Sequence, residues 1–387
     1  MKKLSFRKIA YWLHLWLGAL SSLVIFIVAV TGCIYVFQLE LRSIFQQSQY
    51  VEIQDRPFLS PSELKEKANQ YVYAVAADSA NVIYGVAYGK RDKAATLAYN
   101  HYEDGYTILM LNPYSGDYIY KQTLKGDFFR IILAGHRSLW LPYDVGRPIV
   151  GWSVLVFVIV TISGIVLWIP KRWNRKSLKS ILTIKRKSNS YKLNYDLHKV
   201  IGFYVALIAL IISITGLTWS FKWFANSYYT VISGGEELKQ WKPALSDTTL
   251  TASTLNLDDR LWQQVKQEYP IGEQGTFMFD FPNKKADAYR ICFNPANDDT
   301  YYKRHFRFFD QNTLEELEGG GIYGTAYEDS SAGDKLYRMT YDIHVGAIGG
   351  LPGKIIVFLA SLGIASLPVT GYIIWHKKRK KSKKGKK

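Results

Sequence analysis

The chain has 387 residues, a formal net charge of +17 and a mean hydropathy near zero. That average hides four stretches, 9–39, 148–170, 200–221 and 355–376, which contain no Asp, Glu, Lys or Arg. Each reaches the roughly 20 apolar residues that cross a hydrocarbon core, so an ordinary soluble domain is excluded and four transmembrane helices are expected.

The positive charge is a topology signal. Of the 49 Lys and Arg, 22 lie in segments 1–9, 171–192 and 377–387, and none of these segments holds an acid. The positive-inside rule places all three on the cytoplasmic side, with both termini inside. An anionic leaflet then accounts for the lysine tail, and no nucleic-acid partner is needed. Catalytic Ser-His-Asp, HExxH, P-loop and GxGxxG arrangements are missing from suitable contexts, which removes hydrolase and nucleotide readings. Cys33 and Cys292 lie in different environments, so neither a disulfide nor a cysteine metal site is expected.

In chain order, residues 1–38 read as transmembrane helix 1. Val30-Thr31-Gly32-Cys33 resembles a lipoprotein cleavage site, but Thr215-Gly216 recurs later without a Cys, which assigns the Thr-Gly pair to a repeat instead. Residues 39–127 read as an exported α+β module: one helix in SPSELKEKANQYV, then strands in NVIYGVAY, ATLAYN, YTILMLNP and DYIYKQT. Turns are expected at Glu103-Asp104-Gly105 and Asn112-Pro113-Tyr114-Ser115-Gly116-Asp117. Residues 128–170 hold an apolar approach with His136 and helix 2, and 171–195 a basic cytoplasmic loop. Residues 196–222 form helix 3. Residues 223–335 form a second module, with a helix in LDDRLWQQVKQEYP and strands in GTFMFDF, DAYRICFN and YYKRHFRFFD. Residues 336–376 hold an approach with His344 and helix 4, and 377–387 the basic tail. The expected fold is an integral membrane four-helix bundle of two tandem pseudo-symmetric halves in the same orientation, each with one exported module.

The repeat carries the chemistry. His14 is followed by Gly18 and Gly32, and His198 by Gly202 and Gly216, at offsets of four and eighteen in both copies. Eighteen residues make five helical turns, so each His shares a face with a Gly about 27 Å away along the axis. His136 precedes Gly164 by 28 residues, and His344 precedes Gly371 by 27. By depth, His14 and His198 fall in one layer and His136 and His344 in the other, each with two Gly from the other helices. Facing imidazoles suit a flat, apolar ligand with an iron between them; two haem b groups, each bis-His, are the best match. The glycines are expected to make room for the macrocycle. Arg137 and Arg147, with Arg130 and Lys354, are expected to border the outer layer and to suit carboxylates such as haem propionates. Zinc or copper is the other reading, although two His fall short of the usual ligand number. His376 is a competitor for the inner layer without a repeat partner, and His101 and His305 read as surface residues of the modules. Lone His and Gly at helix ends also serve plain interfacial and packing roles.

The H-x-x-x-G…T-G pattern at His14 and His198, the H-R-S-L-W approach at His136, the W-x-P-K-R close at Trp168 and the Asn112–Asp117 turn together resemble the PepSY-associated transmembrane family. The second half departs at His344, whose IHVGAIGG lacks the Arg-Ser-Leu, and the second module is a degenerate copy of the first. The resemblance implies a multi-pass protein of the bacterial inner membrane with periplasmic PepSY-like modules. It also implies a haem-dependent oxidoreductase that reduces a periplasmic ferric siderophore for iron uptake, fed by an unidentified cytoplasmic or membrane electron donor. No side chain is required as acid or base. A second function follows from the same modules: a non-enzymatic envelope protein that binds or restrains periplasmic proteases. A transporter is the third, for which no span is broken in mid-membrane.

Overall fold

A computed structural model describes residues 5–73, 82–101, 104–250, 256–296 and 300–384. The ends of the basic segments (Met1–Leu4 and 385–387), Asn81 at the head of the first strand motif and Glu103 of the first turn lie outside these residues.

The chain divides into two compact units. The first, residues 1–38, 131–228 and 341–387, holds the four long helices. The second, 39–130 and 229–340, holds the strands. In chain order the elements begin with α1 (Phe6–Tyr35), α2 (Gln38–Phe45), α3 (Pro61–Tyr73), β1 (Ile83–Tyr88), β2 (Ala95–His101), β3 (Gly105–Leu111) and β4 (Tyr118–Thr123). There follow α4 (Phe128–Ser138), α5 (Tyr143–Trp168), α6 (Arg175–Leu182), α7 (Ser190–Ser220), α8 (Lys222–Ser233) and α9 (Leu257–Glu268). The last are β5 (Thr276–Asp280), β6 (Tyr289–Asn294), β7 (His305–Phe309), β8 (Glu316–Leu317), α10 (Ala332–Arg338), α11 (Thr340–His344) and α12 (Gly350–Lys384).

Helices α1, α5, α7 and α12 are long and apolar enough to cross a membrane. They close a ring: α1 packs on α5 and α12, and α7 packs on α12 and α5. Small side chains hold the centre, where Ala29, Ala209 and Ala365 meet Ile25 and Ile364. Without a hydrophobic drive between helices inside a membrane, such close contact relies on small residues and van der Waals packing. Local chemistry moves two boundaries from their expected places and adds one helix. Asn189 accepts from the Lys192 amide and starts α7 at Ser190, six residues before the expected 196. Asn174 caps α6 within the basic loop in the same way. Helix α5 begins at Tyr143, so Pro148 lies inside it rather than at its start.

The strands form one sheet in the order β4-β3-β2-β1-β5-β6-β7-β8, antiparallel throughout. Two separate modules were expected; instead β1 and β5 pair directly, with Val86 opposite Phe279 and Ala87 opposite Met278. The physical reason is that each four-strand half alone would leave these strands with open hydrogen-bonding edges, and joining them satisfies both. One face is covered by α3 and α9, whose Leu64, Ala68, Leu261 and Val265 are buried with Val86, Leu97, Phe277 and Phe279. A reciprocal capping box starts α3: Ser60 Oγ accepts from the Glu63 amide and Glu63 accepts from the Ser60 amide.

Candidate functional site

The helical unit carries four histidines in two pairs. His14 and His198 have ring centres 6.0 Å apart with planes at 83°. His136 and His344 stand 6.2 Å apart at 72°. His14 comes from α1 and His198 from α7, while His136 lies in the last turn of α4 and His344 ends α11, each on a short segment before a long helix. In α1 and α7 the level of one pair is separated from that of the other by eighteen residues of helix, about 27 Å.

Each ring is seated on a neighbouring helix by the same device. His14 lies against Gly164, where an added Cβ would stand 3.0 Å from Cε1. His344 lies against Gly216 (3.1 Å), His136 against Gly32 (3.2 Å) and His198 against Gly371 (3.3 Å). The four glycines therefore make room for the imidazoles, and Gly32 and Gly216 also line the cavity beside His136 and His344. A side chain at any of them would push its ring off the helix. Gly18 and Gly202 behave differently. Their nearest neighbours are Val160 at 3.8 Å and Leu367 at 3.6 Å, ordinary contacts between helices.

With the ring drawn in, its Nδ1 reaches polar atoms of that helix. His14 Nδ1 stands 2.9 Å from the Val160 carbonyl and 3.3 Å from Ser163 Oγ. His136 Nδ1 stands 2.9 Å from the Val28 carbonyl and 3.4 Å from Thr31 Oγ1. His198 Nδ1 stands 2.9 Å from Thr370 Oγ1, and His344 Nδ1 3.0 Å from Thr215 Oγ1. A carbonyl can only accept, so Nδ1 of His14 and His136 carries the proton and donates. The threonines give the same result. Thr370 donates its own proton to Ser366 or Leu367, and Thr215 donates to Ile211 or Ile212. Their oxygens are left to accept from Nδ1. All four rings are thus fixed as the tautomer with a bare Nε2, the form in which a neutral imidazole ligates a metal.

The donor set fits an axial pair. A metal-bound imidazole nitrogen lies at about 2.0 Å and about 1.1 Å from its ring centre, so two rings on opposite sides of one ion stand with centres roughly 6.2 Å apart. The observed 6.0 and 6.2 Å agree. Among the described residues no cluster of three or more His, Cys, Asp or Glu is present, so a tetrahedral zinc site has too few ligands here. A planar macrocycle that supplies four nitrogens of its own needs only these two. A cavity of about 400 Å³ adjoins the His136–His344 pair, within the roughly 300–1,000 Å³ usual for cofactor sites. Its lining includes His136, His344, Arg137, Arg147, Trp219 and Tyr341. Arg137 and Arg147 both donate to the Tyr143 hydroxyl and lie over its ring. Trp219 meets His344 edge-on at 5.2 Å.

The remaining expected residues fall elsewhere. Lys354 is buried at the start of α12 and is not among the cavity residues, and Arg130 belongs to the other unit. His376 is exposed beside Tyr372 and takes no part in the His14–His198 pair. His101, expected on the surface, is buried in β2 with Asp104 at 3.3 Å. The hydroxyls of Ser163 and Thr370 were missed, and those of Thr31 and Thr215 were noted only as part of the repeat. The signal was present, since a Ser or Thr immediately precedes each of the four glycines.

A ring of four membrane-length helices with paired histidines at two levels defines a multi-pass membrane protein. The chain belongs to the PepSY-associated TM region family, whose model matches residues 11–378. A search of curated proteins returns no significant match.

Proposed function

We propose that the chain is a di-haem reductase of the bacterial inner membrane that moves electrons outward to a periplasmic ferric siderophore. The observation that carries this reading is the twice-repeated imidazole pair, with ring centres at axial-ligand spacing and every Nδ1 tied off. His14 with His198, and His136 with His344, would each hold one haem b, which when bound supplies a one-electron centre. The tandem halves stand side by side with their basic segments and both termini in the cytoplasm.

The protein's own residues do the rest. The glycines fix each ring's position, and the Ser, Thr and carbonyl partners fix its tautomer. The apolar helices keep water from both levels. Arg137 and Arg147 place positive charge at the edge of the outer cavity, where carboxylates such as propionates bind. The two levels lie about 27 Å apart by helix rise, close to the roughly 30 Å hydrocarbon thickness. The substrate accepts one electron on the outer side. Fe(III) becomes Fe(II), which hard oxygen donors hold less tightly, and iron is released. The sheet unit would dock the chelate, and a donor on the cytoplasmic or membrane side would supply the electron.

The test is a reduced-minus-oxidised spectrum of the purified protein with a haem-to-protein ratio. Low-spin Soret and α bands and two haems per chain are expected, with one lost in His198→Ala. Reduced protein should be reoxidised by a ferric siderophore. A colourless, fully folded preparation would refute the reading.

A further inference from the structure

The four Nδ1 partners are not equivalent. His14 and His136 stand closest to a backbone carbonyl, at 2.9 Å, with the nearby hydroxyl farther off at 3.3 and 3.4 Å. His198 and His344 reverse this, with a threonine hydroxyl at 2.9 and 3.0 Å. The carbonyls of Leu367 and Ile212 also lie near these two rings. Each pair therefore joins one imidazole whose nearest Nδ1 partner is a carbonyl to one whose nearest partner is a threonine hydroxyl. A carbonyl partner cannot be altered by substitution, whereas a hydroxyl partner can.

We propose that Thr215 and Thr370 are positioning residues that set the reduction potentials of the two haems separately, Thr215 through His344 and Thr370 through His198. The inference rests on the haem-binding reading above. Each threonine spends its own proton on the carbonyl three or four residues back in its helix, at 2.9 and 3.0 Å for Thr215 and 3.0 and 3.2 Å for Thr370. Its oxygen then faces Nδ1 as a fixed acceptor. An imidazole that donates firmly from Nδ1 is a more basic ligand at Nε2. A more basic axial ligand favours the oxidised iron and lowers the potential, and second-shell hydrogen bonding is one of the few levers a protein has on such a centre. The competing explanation is that membrane helices often carry threonines bonded back to their own carbonyls for packing alone. It predicts no change in potential when the hydroxyl is removed.

The experiment compares Thr215→Val and Thr370→Val, near-isosteric but without an acceptor, with Thr215→Ser and Thr370→Ser, which retain one. Purified full-length protein is titrated potentiometrically by its optical spectrum, and haem is counted per chain. Thr215→Val should raise one of the two midpoints and leave the other in place, Thr370→Val should do the converse, and each Ser variant should restore the original value. Thr31→Val and Ser163→Ala should move the midpoints less, because their hydroxyls stand 3.4 and 3.3 Å from Nδ1 against 3.0 and 2.9 Å for Thr215 and Thr370. Two haems with unmoved midpoints in both Val variants would overturn the inference and leave haem binding intact. A wild-type protein without haem would instead sink the functional reading. If a Val variant loses its haem, retention in the matching Ser variant supports the hydroxyl as the anchor, and loss in Ser as well overturns it.

Discussion

The glycines opposite the histidines give the most direct test of the site's packing. In Gly164→Ala the new methyl would stand 3.0 Å from His14 Cε1 and 3.4 Å from its Nδ1. Carbon contacts settle at about 3.5–4.0 Å, so the ring must retreat by roughly 0.5 Å or more. That movement stretches the 2.9 Å bond from Nδ1 to the Val160 carbonyl. Overpacking costs about 1–3 kcal/mol, and a weakened hydrogen bond up to about 1 kcal/mol more. Alanine in place of glycine returns about 0.5–1 kcal/mol of helix preference. The net loss is then up to about 3.5 kcal/mol, with a mid-range value of about 2 kcal/mol, which lowers the melting temperature by a few degrees. The effect should grade with the clearances, from Gly164 through Gly216 and Gly32 to Gly371, the mildest at 3.3 Å. Gly18→Ala and Gly202→Ala are internal controls. With 3.8 and 3.6 Å available, they should keep full haem and melt no lower than the parent. Thermal melts and haem retention in detergent, measured on all six variants, decide the matter. If Gly164→Ala matches Gly18→Ala in both readouts, the four glycines are helix-packing residues and the seating argument is wrong.

Three further expectations concern the site and the sheet unit. The ring planes cross at 83° and 72°, and crossed axial imidazoles give ferric haem a strongly anisotropic low-spin resonance, so if each pair holds a haem as proposed, EPR should show this type of signal; rhombic three-line signals would mean other ligands or turned rings. In the sheet unit, Arg338 is almost fully buried and donates to the carbonyls of Tyr302 (2.8 Å), Thr325 (3.1 Å), Ile322 (3.3 Å) and Arg304, and to Ser330 Oγ (2.9 Å). Arg338→Met leaves these acceptors unpaired at about 1–3 kcal/mol each, so denaturant unfolding should show a loss above about 3 kcal/mol; a loss below about 1 kcal/mol would show that water replaces the guanidinium. Burial alone would raise the pKa of Asp310, but the amides of Asn312, Asp247 and Thr313 hold the carboxyl below its ordinary value. Its stabilisation is complete above the unfolded value of about 3.9 and is lost as pH falls through the lower folded value. Asp310→Asn should therefore flatten the acid limb of a stability-against-pH curve, and an unchanged limb would assign that loss to other carboxylates.

Much of the fold could be read before any coordinates because its signals are local. Four charge-free runs became α1, α5, α7 and α12, and the alternating aliphatic and aromatic segments became β1 to β7. The joining of β1 to β5 was not readable. Nothing in IYGVAY or TFMFD distinguishes an edge that stays open from one that pairs across a gap of nearly two hundred residues. The early start of α7 was written in Asn189, a capping residue three positions before the Lys192 amide it accepts, yet the density of Lys and Arg around it reads as loop.

The histidine site divides along the same physical line. Spacing along one helix gives phase and depth, so His14 could be set on a face with Gly32, and His198 with Gly216. Phase does not name the occupant of the space a glycine leaves. A macrocycle is the neighbour expected at the depth of Gly32, which does line the cavity there; the group packed directly against Gly32 is His136, delivered by α4, a separate short helix. Once an imidazole fills that notch, the preceding hydroxyl and the carbonyl four residues back acquire a purpose that helix packing does not require. They orient a ring that arrives from outside the helix. A glycine that merely spaced two helices would face an aliphatic side chain, as Gly18 faces Val160 and Gly202 faces Leu367. Among the glycines of α1, α5, α7 and α12, the four that face Cε1 of a histidine are the four that follow a Ser or Thr, and that coincidence ties the sequence pair to the histidine rather than to helix packing.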